Sequence, residues 1–169
     1  MTLRDGDQLV CMDVLPAELA DRVASRAADE DGAEESDGEE ATPSDGPWVL
    51  VATASGLGKR VPVDQFRLQK RAGMGLRAMK FRRESDALVG LKVLGTGAEL
   101  LLVSERGVIV RTRADAVPQQ SRAATGVRLQ KLDGGDHLAQ VVLVPPASEE
   151  DSVVEAAPVD PTAPTGPVP

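Results

Sequence analysis

The amino-acid sequence repeats itself at an interval of 51 residues, and no other feature constrains the fold as strongly. When the sequence is shifted by 51 residues, apolar residues align with apolar residues, glycines with glycines and cations with cations. The matched residues are Gly56 and Gly107, Arg60 and Arg111, Gln69 and Gln120, Arg71 and Arg122, Gly75 and Gly126, and Arg77 and Arg128. After a gap of one residue, 88–94 aligns with 138–144. A repeat of this kind predicts stacked, similar units.

The apolar runs and turn signals of each repeat unit predict four β-strands. The first unit begins with a short apolar run at 48–54, and a Ser-Gly hairpin signal leads to a returning strand at 57–61. Further strands are predicted at 76–81 and 88–94. The corresponding strands of the second unit are predicted at 100–104, 108–112, 127–132 and 138–144. Four strands in a unit of about 50 residues are typical of a propeller blade.

The predicted strands divide the chain into five segments. The segment 1–16 is expected to hold the end strands of a truncated blade, because Asp7–Val10 resembles Asp136–Ala139. The other segments are an acidic linker at 17–47, blades at 48–97 and 98–146, and a Pro-rich acidic tail at 147–169. Two whole blades cannot close a ring, and exposed strand edges favour aggregation. We therefore expect the chain to be a piece of a larger protein or a split-off subunit.

Charge is distributed unevenly along the chain. Residues 48–146 include 16 basic and 8 acidic residues, whereas residues 1–47 include 3 basic and 14 acidic residues. Residues 147–169 add 5 acidic and no basic residues, and the formal net charge is -8. The linker and the tail hold too little apolar area to order their like charges, so we expect both to be disordered. The basic body forms either a solvated surface or a binding surface for a polyanion such as nucleic acid.

The composition excludes several kinds of chemistry. The chain has no tyrosine, hence no phenolic nucleophile, and no nucleotide-binding loop. Cys11 is expected to be a small buried side chain, His137 a surface polar residue, and Trp48 and Phe81 parts of the blade core. We expect no catalytic residue, no metal site and no cofactor. Because the chain has neither a long apolar run nor a signal peptide, we expect a cytoplasmic protein without a membrane partner.

The densest candidate for a binding site is the loop 67–75. It carries three cations within five residues, and two glycines follow. Glycine lets a backbone approach a phosphate closely, and cations neutralise the phosphate. The second unit carries a weaker version of this loop at 119–126. The alternative interpretation is a glycine-bearing turn whose arginines face water.

These repeats and loops resemble the C-terminal domain of the bacterial DNA gyrase A subunit. The resemblance rests on Gly58–Val63 with Phe66–Gln69, on Ser104–Arg111, and on Thr125–Leu129 with Leu132, Asp133 and Asp136. It spans roughly 48–146, plus Asp5–Val14. It implies a ring of four-stranded sheets, called a β-pinwheel, with DNA wrapped around its basic rim. The expected fold is therefore all-β, a partial β-propeller or β-pinwheel of about two four-stranded blades plus part of a third.

The hallmark box of that family, Gln-Arg-Arg-Gly-Gly-Lys/Arg-Gly, has a degenerate copy at 69–75. Gln69, Arg71, Gly73 and Gly75 match the box, and Lys70 keeps the charge of the residue it replaces. One glycine and one cation of the box are absent. The segment is therefore interpreted as a diverged copy in a later repeat and not as the box itself.

The resemblance implies sequence-non-specific binding and wrapping of duplex DNA. The chain would act as a fragment of a DNA gyrase, a type II topoisomerase, and would support ATP-dependent negative supercoiling without being active alone. The implied partners are duplex DNA, the remaining gyrase A subunit, and the gyrase B subunit. The candidate DNA-binding residues are Lys59, Arg60, Gln69, Lys70, Arg71, Gly73, Gly75, Arg77, Arg111, Arg122 and Arg128. Two alternatives are the equivalent domain of topoisomerase IV and a protein-interaction propeller fragment whose acidic arms mimic DNA.

Overall fold

The computed structural model of the chain describes residues 3, 5–17, 19–21, 44–66 and 75–144. These residues form seven β-strands joined by turns. The strands are β1 (Trp48–Thr53), β2 (Leu57–Pro62), β3 (Leu88–Leu94), β4 (Glu99–Ser104), β5 (Ile109–Arg113), β6 (Val127–Arg128) and β7 (Leu138–Val144), and short 3-10 helices lie at Val63–Gln65 and Ala114–Ala116. Within the described ranges, no helix has the length and apolar character needed to cross a lipid bilayer.

The two repeat units build matching antiparallel hairpins. β1 pairs with β2 and β3, and β4 pairs with β5 and β7. Gly56 lies in the turn between β1 and β2 with a φ of 77°, and Gly107 lies in the turn between β4 and β5 with a φ of 82°. Glycine adopts this left-handed conformation without a steric penalty, which explains the glycine in both copies of the turn. The strands predicted at 88–94 and 138–144 are confirmed with the same bounds.

An aspartate fastens each hairpin to the strand that follows it in the sheet. Asp86, just before β3, accepts hydrogen bonds from the backbone N–H and the hydroxyl of Ser55 at 3.0 and 2.5 Å. Asp136, just before β7, accepts a hydrogen bond from the backbone N–H of Arg106 at 3.2 Å. Burial raises the pKa of each carboxyl, but hydrogen bonds to the charged form outweigh it, so both pKa values lie below their usual range. Both carboxylates therefore stay ionised and hold the turns in place.

The sheets do not coincide with the repeat units. The first sheet has the strand order β3-β1-β2-β6, so its fourth strand comes from the second unit. β6 pairs with β2 through Leu57 opposite Arg128 and Gly58 opposite Val127. The second sheet has three strands within the described residues, in the order β5-β4-β7. The all-β, partial β-pinwheel expectation is confirmed, and a blade receives its fourth strand from the unit that follows it.

Three predicted strand segments differ from the structure. Only Val127–Arg128 of the predicted strand 127–132 pairs in a sheet, and 76–81 forms no strand. The described part of 1–16 also holds no strand, so the predicted end strands of a truncated blade are not observed. An apolar segment becomes a strand only where a neighbouring edge offers hydrogen-bond partners. The tail at 147–169 and most of the linker at 17–47 lie outside the described residues.

The apolar core consists of two clusters on opposite faces of β1, and the larger of them lies between the two sheets. Every residue of β1 is buried, because this strand lies between β2 and β3 and is covered on both faces. Val49 and Val51 pack with Val63 and Met79 on one face of β1. The other face joins the cluster of Leu50, Ala52, Leu94, Leu100, Leu102, Ala114, Val117, Leu138 and Val141. Full burial of one such leucine contributes about 1.5–3 kcal/mol, so this cluster holds the two sheets together.

The predicted positions of the aromatic, cysteine and histidine side chains agree with the structure in some cases and differ in others. Trp48 is buried in the core, as predicted, whereas Phe81 is 44% exposed and its predicted core position is wrong. Phe81 lies in the segment that pairs with no strand, which leaves its ring at the surface. Cys11 is half-buried and lies outside any strand. His137 occupies the surface position predicted for it, with Nδ1 3.4 Å from a carboxylate oxygen of Glu105.

Candidate nucleic-acid interface

The structure describes seven of the eleven candidate DNA-binding residues. Gln69, Lys70, Arg71 and Gly73 lie outside the described residues. The other seven are Lys59, Arg60, Gly75, Arg77, Arg111, Arg122 and Arg128. The two cations of β2 are directed into the protein and bind the loop 119–126 and its neighbours, whereas the arginines outside β2 are exposed or half-exposed.

Lys59 is an internal cation. Its side chain is fully buried, and its ammonium donates hydrogen bonds to the carbonyl oxygens of Ser121, Arg122 and Ala124 at 2.6, 2.8 and 2.7 Å. Three donors that meet three acceptors satisfy the ammonium completely. In this structure the ammonium therefore keeps no donor for a DNA phosphate, and the contact between Lys59 and phosphate stays a prediction that this burial disfavours.

Arg60 lies on the opposite face of β2 from Lys59, because successive side chains of a strand alternate. Its guanidinium carbon lies 4.6 Å from the centroid of the Trp48 ring. Its Nε donates a hydrogen bond to the carbonyl of Val117 at 2.7 Å, and its Nη1 lies 3.5 Å from the carboxylate of Asp115. A guanidinium stacked on an indole and bonded to the backbone is held rigidly. Arg60 thus braces the surface in this structure, and its contact with phosphate stays a prediction.

Further hydrogen bonds hold the loop 119–126 against the first sheet. The backbone N–H of Gln120 donates to the carbonyl of Arg60 at 2.9 Å. The Trp48 Nε1–H donates to the side-chain oxygen of Gln119 at 2.8 Å. Together with the ammonium of Lys59, these bonds tie the loop to β1 and β2 at several points. A loop held in this way presents its own cation, Arg122, at a fixed place on the surface.

Arg77 and Arg128 occupy the same position in the two repeat units and are both exposed. Neither forms an ion pair with another of the residues that the structure describes. An unpaired guanidinium keeps its full capacity for a two-pronged hydrogen bond to phosphate. With the half-exposed Arg122, these arginines are the predicted site residues that the structure leaves most available.

Arg111 lies on β5 and is exposed, but its Nε donates a hydrogen bond to the carboxylate of Glu99 at 2.7 Å. Its neighbour Arg113 lies 3.2 Å from the carboxylate of Asp115. Exposed ion pairs of this kind contribute at most about 1 kcal/mol, so a phosphate can replace either carboxylate. Arg111 therefore stays a candidate contact. Because the carboxylate of Glu99 offsets its charge, Arg111 should attract phosphate less strongly than Arg77 and Arg128 do.

The sequence prediction missed several exposed cations. They are Lys80, Arg82, Arg83, Arg106, Arg113 and Lys131. Lys80 is the best placed, because its backbone N–H donates to the carbonyl of Ala124 at 3.3 Å and so fixes it beside the loop 119–126. The only available signal was the charge pattern, since the contact between Lys80 and that loop is formed in the tertiary structure.

The buried ammonium predicts a specific dependence of stability on pH. Burial, together with the charge of Arg122, lowers the pKa of Lys59 from 10.5 to about 8. The folded chain therefore loses this proton before the unfolded chain does, and the free energy of unfolding should rise between pH 8 and 10.5, by up to about 3 kcal/mol. Urea denaturation across this pH range measures the rise.

A control variant, Lys92→Met, should keep the same rise, because Lys92 lies on β3 away from the loop carbonyls. A Lys59→Met variant should lose the rise, since methionine has no proton to release. If the chain and both variants showed the same pH dependence, Lys59 would not be its source.

Comparison with known proteins identifies relatives of this arrangement. A family model described as DNA gyrase C-terminal domain, β-propeller, matches residues 47–94 and 98–145, the two repeat units. The DNA gyrase A subunit of Synechocystis sp. is 45% identical over 156 residues, which cover 89% of this chain and 18% of that protein. The DNA gyrase A subunit of Mycobacterium tuberculosis is 33% identical over 118 residues, which cover 70% of this chain and 14% of that protein. The chain thus spans less than a fifth of the length of these curated relatives.

Two solved domains are similar in fold. The structure of a DNA gyrase A C-terminal domain matches with a TM-score of 0.53 at 30% identity, over 56% of this chain and 32% of that chain. The C-terminal domain of DNA topoisomerase IV matches with a TM-score of 0.54 at 21% identity, over 59% of this chain and 30% of that chain. At that lower identity the second similarity concerns the fold alone. Both similarities fit a partial β-pinwheel.

Proposed function

The chain belongs to the family of DNA gyrase C-terminal β-propeller domains, and from this premise we propose that it binds and wraps duplex DNA without sequence preference. Family membership is the observation that carries the proposal. The net charge of +8 over residues 48–146 supports it, because a basic surface attracts the DNA backbone. The exposed arginines at equivalent positions of successive units support it further.

The binding mechanism is electrostatic. Arg77 and Arg128 neutralise phosphates, which releases the cations condensed on the duplex and gives affinity without reading base edges. A duplex that crosses both units meets one such arginine in each unit. Bending 20–30 base pairs around a protein costs on the order of 1–6 kcal/mol, and additional phosphate contacts offset this cost.

The internal cations contribute by holding the surface in shape. Lys59 and Arg60 fasten the loop 119–126 to the first sheet, so that Arg122 and Arg128 keep a fixed spacing. A preorganised set of cations loses less side-chain freedom when it binds phosphate than a flexible set does. Lys59 and Arg60 are therefore positioning residues in this proposal, and the exposed arginines make the contacts.

The chain provides one part of a larger reaction. Strand cleavage by a type II topoisomerase requires a tyrosine, and this chain has none. We propose that it works with gyrase B and the remaining gyrase A subunit, in the cytoplasm, and supports ATP-dependent negative supercoiling through the DNA that it wraps. The equivalent role in topoisomerase IV is the alternative, and the higher identity to gyrase A sequences favours gyrase.

Salt titrations test the binding mechanism. The chain should bind two unrelated duplexes of about 40 base pairs equally well, with affinity that falls steeply between about 50 and 200 mM salt. Replacing both Arg77 and Arg128 with glutamine should lower the slope of log affinity against log salt by about 2, because each phosphate contact contributes about 0.9. Fluorescence anisotropy measures both quantities.

The matched control replaces the same two arginines with lysine, which keeps the charge and should keep most of the slope. A marked preference for one duplex, or affinity that does not change with salt, would contradict the proposal. Salt-tolerant binding to one protein instead of DNA would favour the interaction-module alternative.

A further inference from the structure

Three backbone carbonyl groups of one short loop lie around a single position inside the protein. They belong to Ser121, Arg122 and Ala124, and their oxygen atoms lie 2.6, 2.8 and 2.7 Å from Nζ of Lys59. These three oxygen atoms form the carbonyl cluster. Because the side chain that reaches them is fully buried, the carbonyl cluster is an internal site that holds one ammonium group away from bulk water.

The carbonyl cluster binds its ammonium group without a carboxylate. Within the part of the chain that the structure describes, no ion pair includes Lys59. Carbonyl oxygens can replace the hydration shell of a monovalent cation, as they do in potassium channels. A divalent cation such as Ca²⁺, in contrast, usually takes carboxylate oxygens among its ligands. The site therefore fits a singly charged cation.

The number of acceptors matches a primary ammonium group in particular. An ammonium group at the end of an alkyl chain has three N–H donors and no acceptor, so three carbonyl oxygens satisfy it completely. The distances to Nζ of Lys59 are those of hydrogen bonds from a charged donor. A quaternary ammonium ion has the charge but no N–H donor, and an alcohol has one donor and no charge. The site should therefore discriminate against both.

The loop 119–126 is held in place by bonds in which this ammonium group takes no part. The backbone N–H of Gln120 donates to the carbonyl of Arg60 at 2.9 Å. The backbone N–H of Arg122 donates to the side-chain oxygen of Gln65 at 3.2 Å. Bonds of this kind keep the three carbonyl oxygens near one another when the lysine side chain is shortened. The site is thus preorganised for a ligand that is not attached to the chain.

The same loop contains buried oxygen atoms that lack a donor. Ser121 is only 5% exposed, and among the described residues its hydroxyl oxygen has no hydrogen-bond partner. The side-chain oxygen of Gln120 is also buried without a partner in the described part of the chain. Buried acceptors need donors, so this loop favours a group that brings several N–H donors at once.

We propose that the carbonyl cluster is a binding site for a primary ammonium group, that Lys59 is its tethered ligand, and that a free alkylammonium ion fills the site when the tether is removed. In the unsubstituted chain the tether keeps the local concentration of the ammonium group far above that of a free ion, so a free ion does not displace it. The proposal concerns the interior of the protein and is independent of DNA binding.

Chemical rescue of a Lys59→Ala chain tests the proposal. The substitution removes three carbon atoms and the ammonium group from the side chain, and n-propylammonium contains these same atoms. A ligand that binds only the folded state stabilises it by mass action. At near-neutral pH and constant ionic strength, n-propylammonium should therefore raise the Tm of the Lys59→Ala chain by several degrees, in proportion to the logarithm of its concentration once binding is nearly complete.

The single tryptophan of the chain gives a local readout of the same event. The Trp48 Nε1–H donates to the side-chain oxygen of Gln119, at the start of the loop. The emission of Trp48 should change in the Lys59→Ala chain and return toward that of the unsubstituted chain, with a saturable dependence on n-propylammonium. If the Lys59→Ala chain does not fold by itself, the ion should restore the folded emission, because it draws the equilibrium toward the state that it binds.

Two additives and two chains serve as controls. Tetramethylammonium, which has no N–H donor, and n-propanol, which has no charge, should each raise the Tm of the Lys59→Ala chain much less than n-propylammonium does. The unsubstituted chain and a Lys92→Ala chain, altered on β3, should not respond to any of the three. A Lys59→Ala chain that responds to none of the additives, or equally to all three, would overturn the proposal. An equal response of the Lys92→Ala chain to n-propylammonium would also overturn it.

Discussion

Replacing Lys59 with methionine is expected to lower the free energy of unfolding by about 3–5 kcal/mol. Methionine fills a similar volume but donates no hydrogen bond. The substitution would remove the ammonium that lies 2.6–2.8 Å from the carbonyl oxygens of Ser121, Arg122 and Ala124. The Ser121 and Ala124 carbonyls would keep only longer bonds, from the backbone N–H groups of Ala124 and Lys80 at 3.2 and 3.3 Å, and the Arg122 carbonyl would lose this donor. An unsatisfied acceptor costs about 1–3 kcal/mol and the loss of two further charge-assisted bonds adds to it, which makes this the largest single-side-chain effect that we expect.

Urea denaturation near neutral pH measures the effect, where the ammonium of Lys59 is still charged. Lys92→Met is the matched control and should change stability by less than about 0.5 kcal/mol, because Lys92 binds no buried carbonyl. Faster amide hydrogen exchange in 119–126 would locate the loss in the loop. A Lys59→Met chain as stable as the control would mean that water replaces the ammonium and that the loop needs no brace.

The sequence predicts the strands better than it predicts their partners. The 51-residue repeat places β3 and β7 at their observed bounds, since an apolar run between turn signals is visible locally. It does not show that Val127–Arg128 joins the first sheet, because the apolar pattern of a strand is the same whichever edge it pairs with. For the same reason 76–81 was predicted as a strand, although it has no edge to pair with among the described residues.

The candidate site shows that the charge of a residue alone does not predict whether it lies on the binding surface. Lys59 and Arg60 look like phosphate contacts in the sequence, because most cations are exposed. Alternation places adjacent residues of a strand on opposite faces, so at least one of the two had to point toward the sheet interface. The carbonyls that bind Lys59 come from residues more than 60 positions later in the chain, and no local pattern reveals them. The repeat matches Arg77 with Arg128, and the structure exposes both.

Replacing Gly126 with alanine is expected to destabilise the chain by about 3 kcal/mol, because two costs add at this position. The φ of Gly126 is 89°, a conformation that costs a residue with a Cβ about 1–2 kcal/mol. The new Cβ would also lie 2.7 Å from the Gly58 carbonyl oxygen, so the backbone at the junction between the two units must shift, at about 1–3 kcal/mol.

The repeat supplies a control for this prediction within the same chain. Gly75 is the equivalent glycine, with a φ of 77° and no atom within 4 Å of a Cβ built on it. Gly75→Ala should therefore cost only the conformational part, about 1–2 kcal/mol, when measured by urea denaturation at low protein concentration. The difference between the two variants isolates the contact between β2 and the segment that covers it. If both alanine variants lost the same stability, the close approach of Gly126 to Gly58 would contribute nothing, and the junction that joins the two units would be looser than its hydrogen bonds indicate.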